Sequence, residues 1–111
     1  MKNMTIRLSG DGILKKAWII KQGQKWDQAE ELQINSQGLA TKSVIENVEY
    51  ILSWTLVGTP GASWKLEVQE PPDYQWQYYG SSRWYSTKIS LEKTLSEASY
   101  SDLRIIRIIE G

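Results

Sequence analysis

The 111-residue sequence predicts an all-β fold, an antiparallel β-sandwich of about seven or eight short strands with at most one short helix. Three observations carry this reading. Apolar and polar residues alternate with period two in several segments, which sends successive side chains to opposite faces of an extended chain. Clusters of Gly, Pro, Asn and Ser punctuate those segments at short intervals. Helical periodicity lasts barely a turn anywhere. Residues 1–111 read as one domain, because no repeat, low-complexity tract or linker-like change of composition interrupts them.

Met4, Ile6 and Leu8 alternate with Thr5, Arg7 and Ser9 up to the turn triplet Gly10-Asp11-Gly12. Residues 13–21 then supply a partner strand, although Trp18-Ile19-Ile20 leaves its inward face open. Leu32-Gln33-Ile34 reads as a short strand closed by Asn35-Ser36-Gln37-Gly38. The clearest pattern is a β-hairpin. Tyr50, Leu52, Trp54 and Leu56 alternate with Ile51, Ser53, Thr55 and Val57. Gly58-Thr59-Pro60-Gly61 follows, where Pro60 presets φ and Gly61 can take φ > 0. Trp64, Leu66 and Val68 then alternate with Lys65, Glu67 and Gln69, giving one dry and one wet face.

Thr87, Ile89 and Leu91 alternate with Lys88, Ser90 and Glu92. Ser43-x-x-Glu46 and Thr94-x-x-Glu97 match the capping box, but only 91–99, through Leu91, Leu95 and Ala98, offers a helical turn. Residues 103–109 are rich in Ile, which favours a strand. Their apolar side chains fall on both faces, as expected of a central strand or of one covered by a partner.

Thirteen Lys and Arg balance thirteen Asp and Glu, so the chain lacks the basic excess of a phosphate-neutralising nucleic-acid binder. There is no Cys and no His, which removes disulfides, thiol chemistry and the usual zinc or copper ligands. No calcium loop, phosphate loop or dinucleotide fingerprint is present, so neither a metal nor a cofactor is expected. Ser90-Leu91-Glu92-Lys93 fits the S-x-x-K pattern of serine acyl-transferases, but lies on an expected strand and lacks the accompanying elements. Asp27, Glu30 and Glu31, and likewise Glu67 and Glu70, cluster without the long cleft that glycoside hydrolysis needs. No catalytic residue is assigned, and the protein reads as a non-enzyme. The first residues have no apolar region of a secretory signal, and no window suits a membrane-spanning helix, so the chain as given reads as soluble.

The aromatic composition is unusual: six Trp, six Tyr and no Phe. Trp54, Trp64 and, by position, Trp18 suit the core. Half of the set falls within residues 74–85, as Tyr74, Trp76, Tyr78, Tyr79, Trp84 and Tyr85, around the flexible Gly80-Ser81-Ser82. Tyr74, Trp76 and Tyr78 share one face of an extended chain, either as an inner strand face or as a displayed stripe. Tyr79, Trp84 and Tyr85, beside the turn, are the better candidates for display. Such rings combine apolar faces with polar edges and suit a partly wet binding surface. Asp73, Gln77 and Arg83 would add directional hydrogen bonds.

Pro72-Asp73-Tyr74-Gln75-Trp76-Gln77-Tyr78 followed by Trp84-Tyr85-Ser86-Thr87-Lys88-Ile89 resembles the lipid-binding segment of actinoporin-type proteins. The resemblance implies a β-sandwich with a phosphocholine headgroup site; the fungal fruit-body lectins, which share that architecture, imply a sugar site. It covers about eighteen residues of the chain. One residue separates Pro and Asp in that family and none does here, Tyr85 replaces a Trp, and no amphipathic N-terminal helix is present to imply pore formation. The expected function is a non-enzymatic binding module for a carbohydrate or lipid headgroup, using Asp73, Trp76, Gln77, Tyr78, Tyr79, Arg83, Trp84 and Tyr85. The alternative is a protein-interaction or assembly domain, a homo-oligomer or subunit of a larger complex, that joins partners through the apolar strand at 103–109.

Overall fold

The computed structural model describes residues 1–109 and shows two antiparallel sheets packed face to face. The strands are β1 (Lys2–Ser9), β2 (Leu14–Lys21), β3 (Glu30–Leu32), β4 (Leu39–Val44), β5 (Tyr50–Val57), β6 (Ser63–Glu70), β7 (Tyr74–Gln77), β8 (Ser90–Thr94) and β9 (Ser99–Ile108). One sheet has the order β4-β1-β6-β8 and the other β3-β2-β5-β9-β7. The expected all-β sandwich is present, with nine strands among the described residues rather than seven or eight. The strand that sequence reading overlooked is β4, whose inward set is only Ala40 and Val44, too small to stand out as an apolar face.

The alternation patterns place side chains as expected. Met4, Ile6 and Leu8 of β1 and Trp64, Leu66 and Val68 of β6 are buried from one side. Tyr50, Leu52, Trp54 and Leu56 of β5 with Ala17 and Ile19 of β2 fill the core from the other. The inward face of β2 is therefore the one carrying Ile19. Trp18 sits opposite Ser53 on the outer face, half-buried, and is not part of the core.

Strand partners differ from expectation. Neither β1 and β2 nor β5 and β6 form a hairpin. Each pair belongs to different sheets, and its strands face one another across the core. An alternating pattern is satisfied equally by a neighbour in the same sheet and by a facing strand in the opposite one, so the pattern alone cannot separate the two. The connections are long enough for the crossing: sheets stack about 10 Å apart, and three or four extended residues span that distance. Gly61 has the positive φ expected of it, 95°, yet its turn feeds a strand into the other sheet. Gly10 marks the first corner: a Cβ there would lie 2.9 Å from the Ser63 carbonyl oxygen. All but one of the connections between consecutive strands change sheet, the exception being β2 to β3.

Neither capping-box sequence starts a helix. Ser43 lies within β4, and Thr94 ends β8, so the helical turn expected in 91–99 is absent and Leu95 caps the core as a buried loop residue. The helical content among the described residues is a single 3₁₀ turn, Trp26–Gln28.

The C-terminal strand is longer than the expected 103–109 and is central. It pairs with β5 along Ser99–Ile106 and with β7 along Ile105–Ile108. Its two apolar faces now have distinct partners. Ile106 and Ile108 enter the main core, whereas Ile105 joins Ile20 and Ile51 on the outer face. That outer cluster is covered by Ala29, Leu103 and Trp84 of the same chain. Ile105 and Ile106 are paired on both sides, by β5 and by β7.

Candidate functional site

The aromatic stripe runs from the core to the rim. Tyr74 is buried, Trp76 half-buried and Tyr78 is 47% exposed. Tyr74 is anchored because its hydroxyl accepts the Ile89 amide at 2.6 Å in the interior. After β7 the chain turns at Tyr78–Ser81, where the Ser81 amide donates to the Tyr78 carbonyl oxygen at 3.0 Å. It then returns to pair Trp76 with Tyr85: each amide donates to the other's carbonyl, at 2.9 and 2.7 Å. Directly paired residues share a face, so the Trp76 and Tyr85 rings stack, with centroids 4.6 Å apart and planes inclined by 20°. Tyr78 stands edge-on to both, at 5.2 and 5.9 Å. Trp76 Nε1 donates to the Thr87 carbonyl oxygen at 2.8 Å and fixes the indole.

Three arginines attend these rings. The guanidinium carbon of Arg83 lies 4.8 Å from the centre of the Tyr85 ring, and Arg104 lies 4.6 Å from Tyr78 and 5.8 Å from Trp76. Because Trp76 already covers one face of Tyr85, Arg83 takes the other. Arg107 lies 3.8 Å from the Trp84 ring centre, and its Nε and Nη2 donate to Gln75 Oε1 at 3.0 and 2.7 Å.

The residues expected to form one site divide between two faces of β7. Trp76, Tyr78, Tyr85 and Arg83 come together on the side of the sheet that continues into the core. Gln77 and Trp84 belong to the outer face, where Gln77 is opposite Ile105 and only 6% exposed. Trp84 there covers the Ile20, Ile51 and Ile105 cluster, so it is half-buried rather than displayed. Tyr85 is half-buried as well, and Tyr79, at 64% exposure, is the displayed ring of the turn. Asp73 is exposed and borders a separate shallow hollow of about 210 Å³ with Gln75 and Ser86. Larger hollows, of about 330 Å³ beside Asp11, Trp64 and Glu92 and about 320 Å³ beside Lys21, Gln28 and Tyr50, involve none of the expected site residues. The S-x-x-K pair is not a unit: Ser90 and Lys93, an odd number of residues apart on β8, point to opposite faces.

Arg104 is the member that sequence reading missed. It belongs to a polar run on the inner face of β9, Tyr100, Asp102 and Arg104, in phase with the core residues Ile106 and Ile108. Arg104 Nη1 is 2.9 Å from Asp102 Oδ2, and the Tyr100 hydroxyl donates to the same oxygen at 2.9 Å. The available signal was that phase: extended back to residue 99, the strand places charged residues at inward positions.

Burial pushes the Asp102 carboxyl upward, but the Leu103 amide, the Arg104 guanidinium and the Tyr100 hydroxyl outweigh it and hold it below the ordinary value. The Tyr74 and Tyr100 hydroxyls are raised, first by burial and for Tyr100 also by Asp102. A depressed carboxyl contributes stability that is complete above its unfolded pKa, about 4, and is lost as pH falls through the folded value. A raised tyrosine contributes stability that is complete below about pH 10 and is lost as pH rises through the folded value. Stability followed by urea unfolding should therefore decline at both extremes, and Asp102→Asn should flatten the acid limb. An unchanged acid limb in that variant would contradict the assignment.

Trp84→Ala is expected to lose about 1–2 kcal/mol, since it uncovers part of the outer isoleucine cluster. Trp84→Phe should keep most of the loss back. Thermal unfolding distinguishes this from a display role, in which both changes would be neutral.

Comparison with known protein families, curated proteins and solved structures returned no match to this chain.

Proposed function

We propose that the protein is a non-enzymatic binding module whose rim of Trp76, Tyr78, Tyr79 and Tyr85 receives a carbohydrate. The observation that carries this reading is the fixed arrangement of the rings: one stacked pair, a third ring edge-on, and Tyr78 half in solvent. Rings locked by packing offer contact area at little cost in side-chain entropy, and sugars present apolar C–H faces that complement them. A quaternary-ammonium headgroup, as the resemblance to the actinoporin segment implies, is the poorer fit. Such a cation would be repelled by the guanidinium groups of Arg83 and Arg104, which lie over Tyr85 and Tyr78.

Tryptophan fluorescence during titration with oligosaccharides tests the reading, because Trp76 stands within the group. Tyr78→Ala should weaken any bound oligosaccharide about tenfold, equivalent to about 1.4 kcal/mol, while Asp73→Ala leaves affinity unchanged. If a glycan array and phosphatidylcholine vesicles both give no signal, the binding-module reading fails.

A further inference from the structure

Arg104 is a cation held almost wholly inside a protein of zero formal charge; 7% of its side chain is exposed. Its Nη1 is fully used, donating to the Leu103 carbonyl oxygen at 2.8 Å and to Asp102 at 2.9 Å. Nε and Nη2 have no acceptor among the described residues. Neither is sealed in, because the one enclosed side-chain polar atom without a partner among those residues is Trp54 Nε1. The Nε–Nη2 edge of a well-buried arginine therefore keeps some contact with solvent, beside the half-exposed Tyr78 ring.

Such an edge carries two parallel N–H groups whose spacing matches the two oxygens of a carboxylate. Burial makes it a stronger anchor than a surface arginine, since its orientation is already paid for by the fold and water screens it less. Asp102 offsets the formal charge of Arg104 but occupies only its Nη1 side, and Arg83 adds a second positive charge to the same group of rings. Two arginines against one aspartate leave the rim with a net charge of +1.

Building on the carbohydrate reading above, we propose that the ligand is an acidic sugar, its carboxylate seated on the Nε–Nη2 edge of Arg104 and its ring against Tyr78. A uronic-acid oligosaccharide has both features within one residue. An anionic membrane is the less suitable source of the same charge, because a chain of balanced charge lacks the long-range attraction that holds proteins to such surfaces.

The test compares trigalacturonic acid, its methyl ester and galactotriose by fluorescence titration of the unmodified protein, with phosphatidylserine vesicles in parallel. The acid should bind at least tenfold more tightly than the ester or the neutral sugar. Its advantage should vanish in Arg104→Lys, which keeps the charge and loses the paired donors. The ester comparison uses only the unmodified protein, so the result stands even if Arg104→Lys fails to fold. Equal binding of ester and acid, abolished by Tyr78→Ala, would overturn the carboxylate site and leave the carbohydrate reading intact. Binding of vesicles and of no sugar, or of nothing at all, would overturn both.

Discussion

Asp102→Ala is expected to destabilise the fold by about 3 kcal/mol, more than its partly exposed position suggests. The reason is what it leaves behind. Arg104 is 6% exposed and uses Nη1 for Asp102, so removing the carboxylate strands a charge among Trp54, Trp76 and Tyr78. Replacing both partners by apolar residues of similar volume, Asp102→Leu with Arg104→Met, should recover most of that loss, because neither desolvated charge then remains. Urea unfolding of the two single variants and the double variant gives the coupling directly, provided the slope m is unchanged. A double variant as unstable as the sum of the singles would show that the pair contributes shape and not charge compensation. If the pair were merely stabilising, the double variant would also be harmless to binding. The acidic-sugar proposal requires instead that it fold and fail to bind trigalacturonic acid.

Trp54→Ala should cost about 3–5 kcal/mol, the range for emptying a large aromatic site in a close-packed core. Trp54 is 1% exposed and belongs to the main core between the sheets. Trp54→Phe should cost far less, about 1 kcal/mol. The indole Nε1 is enclosed without a hydrogen-bond partner among the described residues, and an unmet buried N–H itself costs about 1–3 kcal/mol. Phe removes that penalty while keeping most of the volume, so the two terms oppose each other. Thermal or urea unfolding separates the cases: a loss in Trp54→Phe approaching that of Trp54→Ala would mean that the N–H is satisfied in solution.

The all-β class and most strands were legible because burial of one face per strand writes itself into the sequence as alternation. Leu52, Trp54, Leu66 and Val68 are examples read correctly at the level of single residues. Pairing was not legible. Alternation records which side of a strand is dry, and Leu66 is equally dry whether Leu56 lies beside it in a sheet or faces it across the core. The aromatic segment was found by composition, but its division between two faces depends on the return of the chain from Tyr78 to Tyr85, which pairs Trp76 with Tyr85 and turns Trp84 away. Arg104 escaped notice because residues 99–102 carry no apolar signal of a strand. Its inward position follows from the hydrogen-bonded ladder with β5, in which Arg104 sits opposite Leu52.

The habit of changing sheet at nearly every corner also bears on how the chain reaches its native state. Hairpins ordinarily let a β protein begin with cheap local ladders. Here most ladders join distant segments: Thr55 must find Ser101, and Lys2 must find Val44. Loop-closure entropy is spent before the contacts that reward it. Refolding on the millisecond-to-second scale follows for a domain dominated by such long-range pairings.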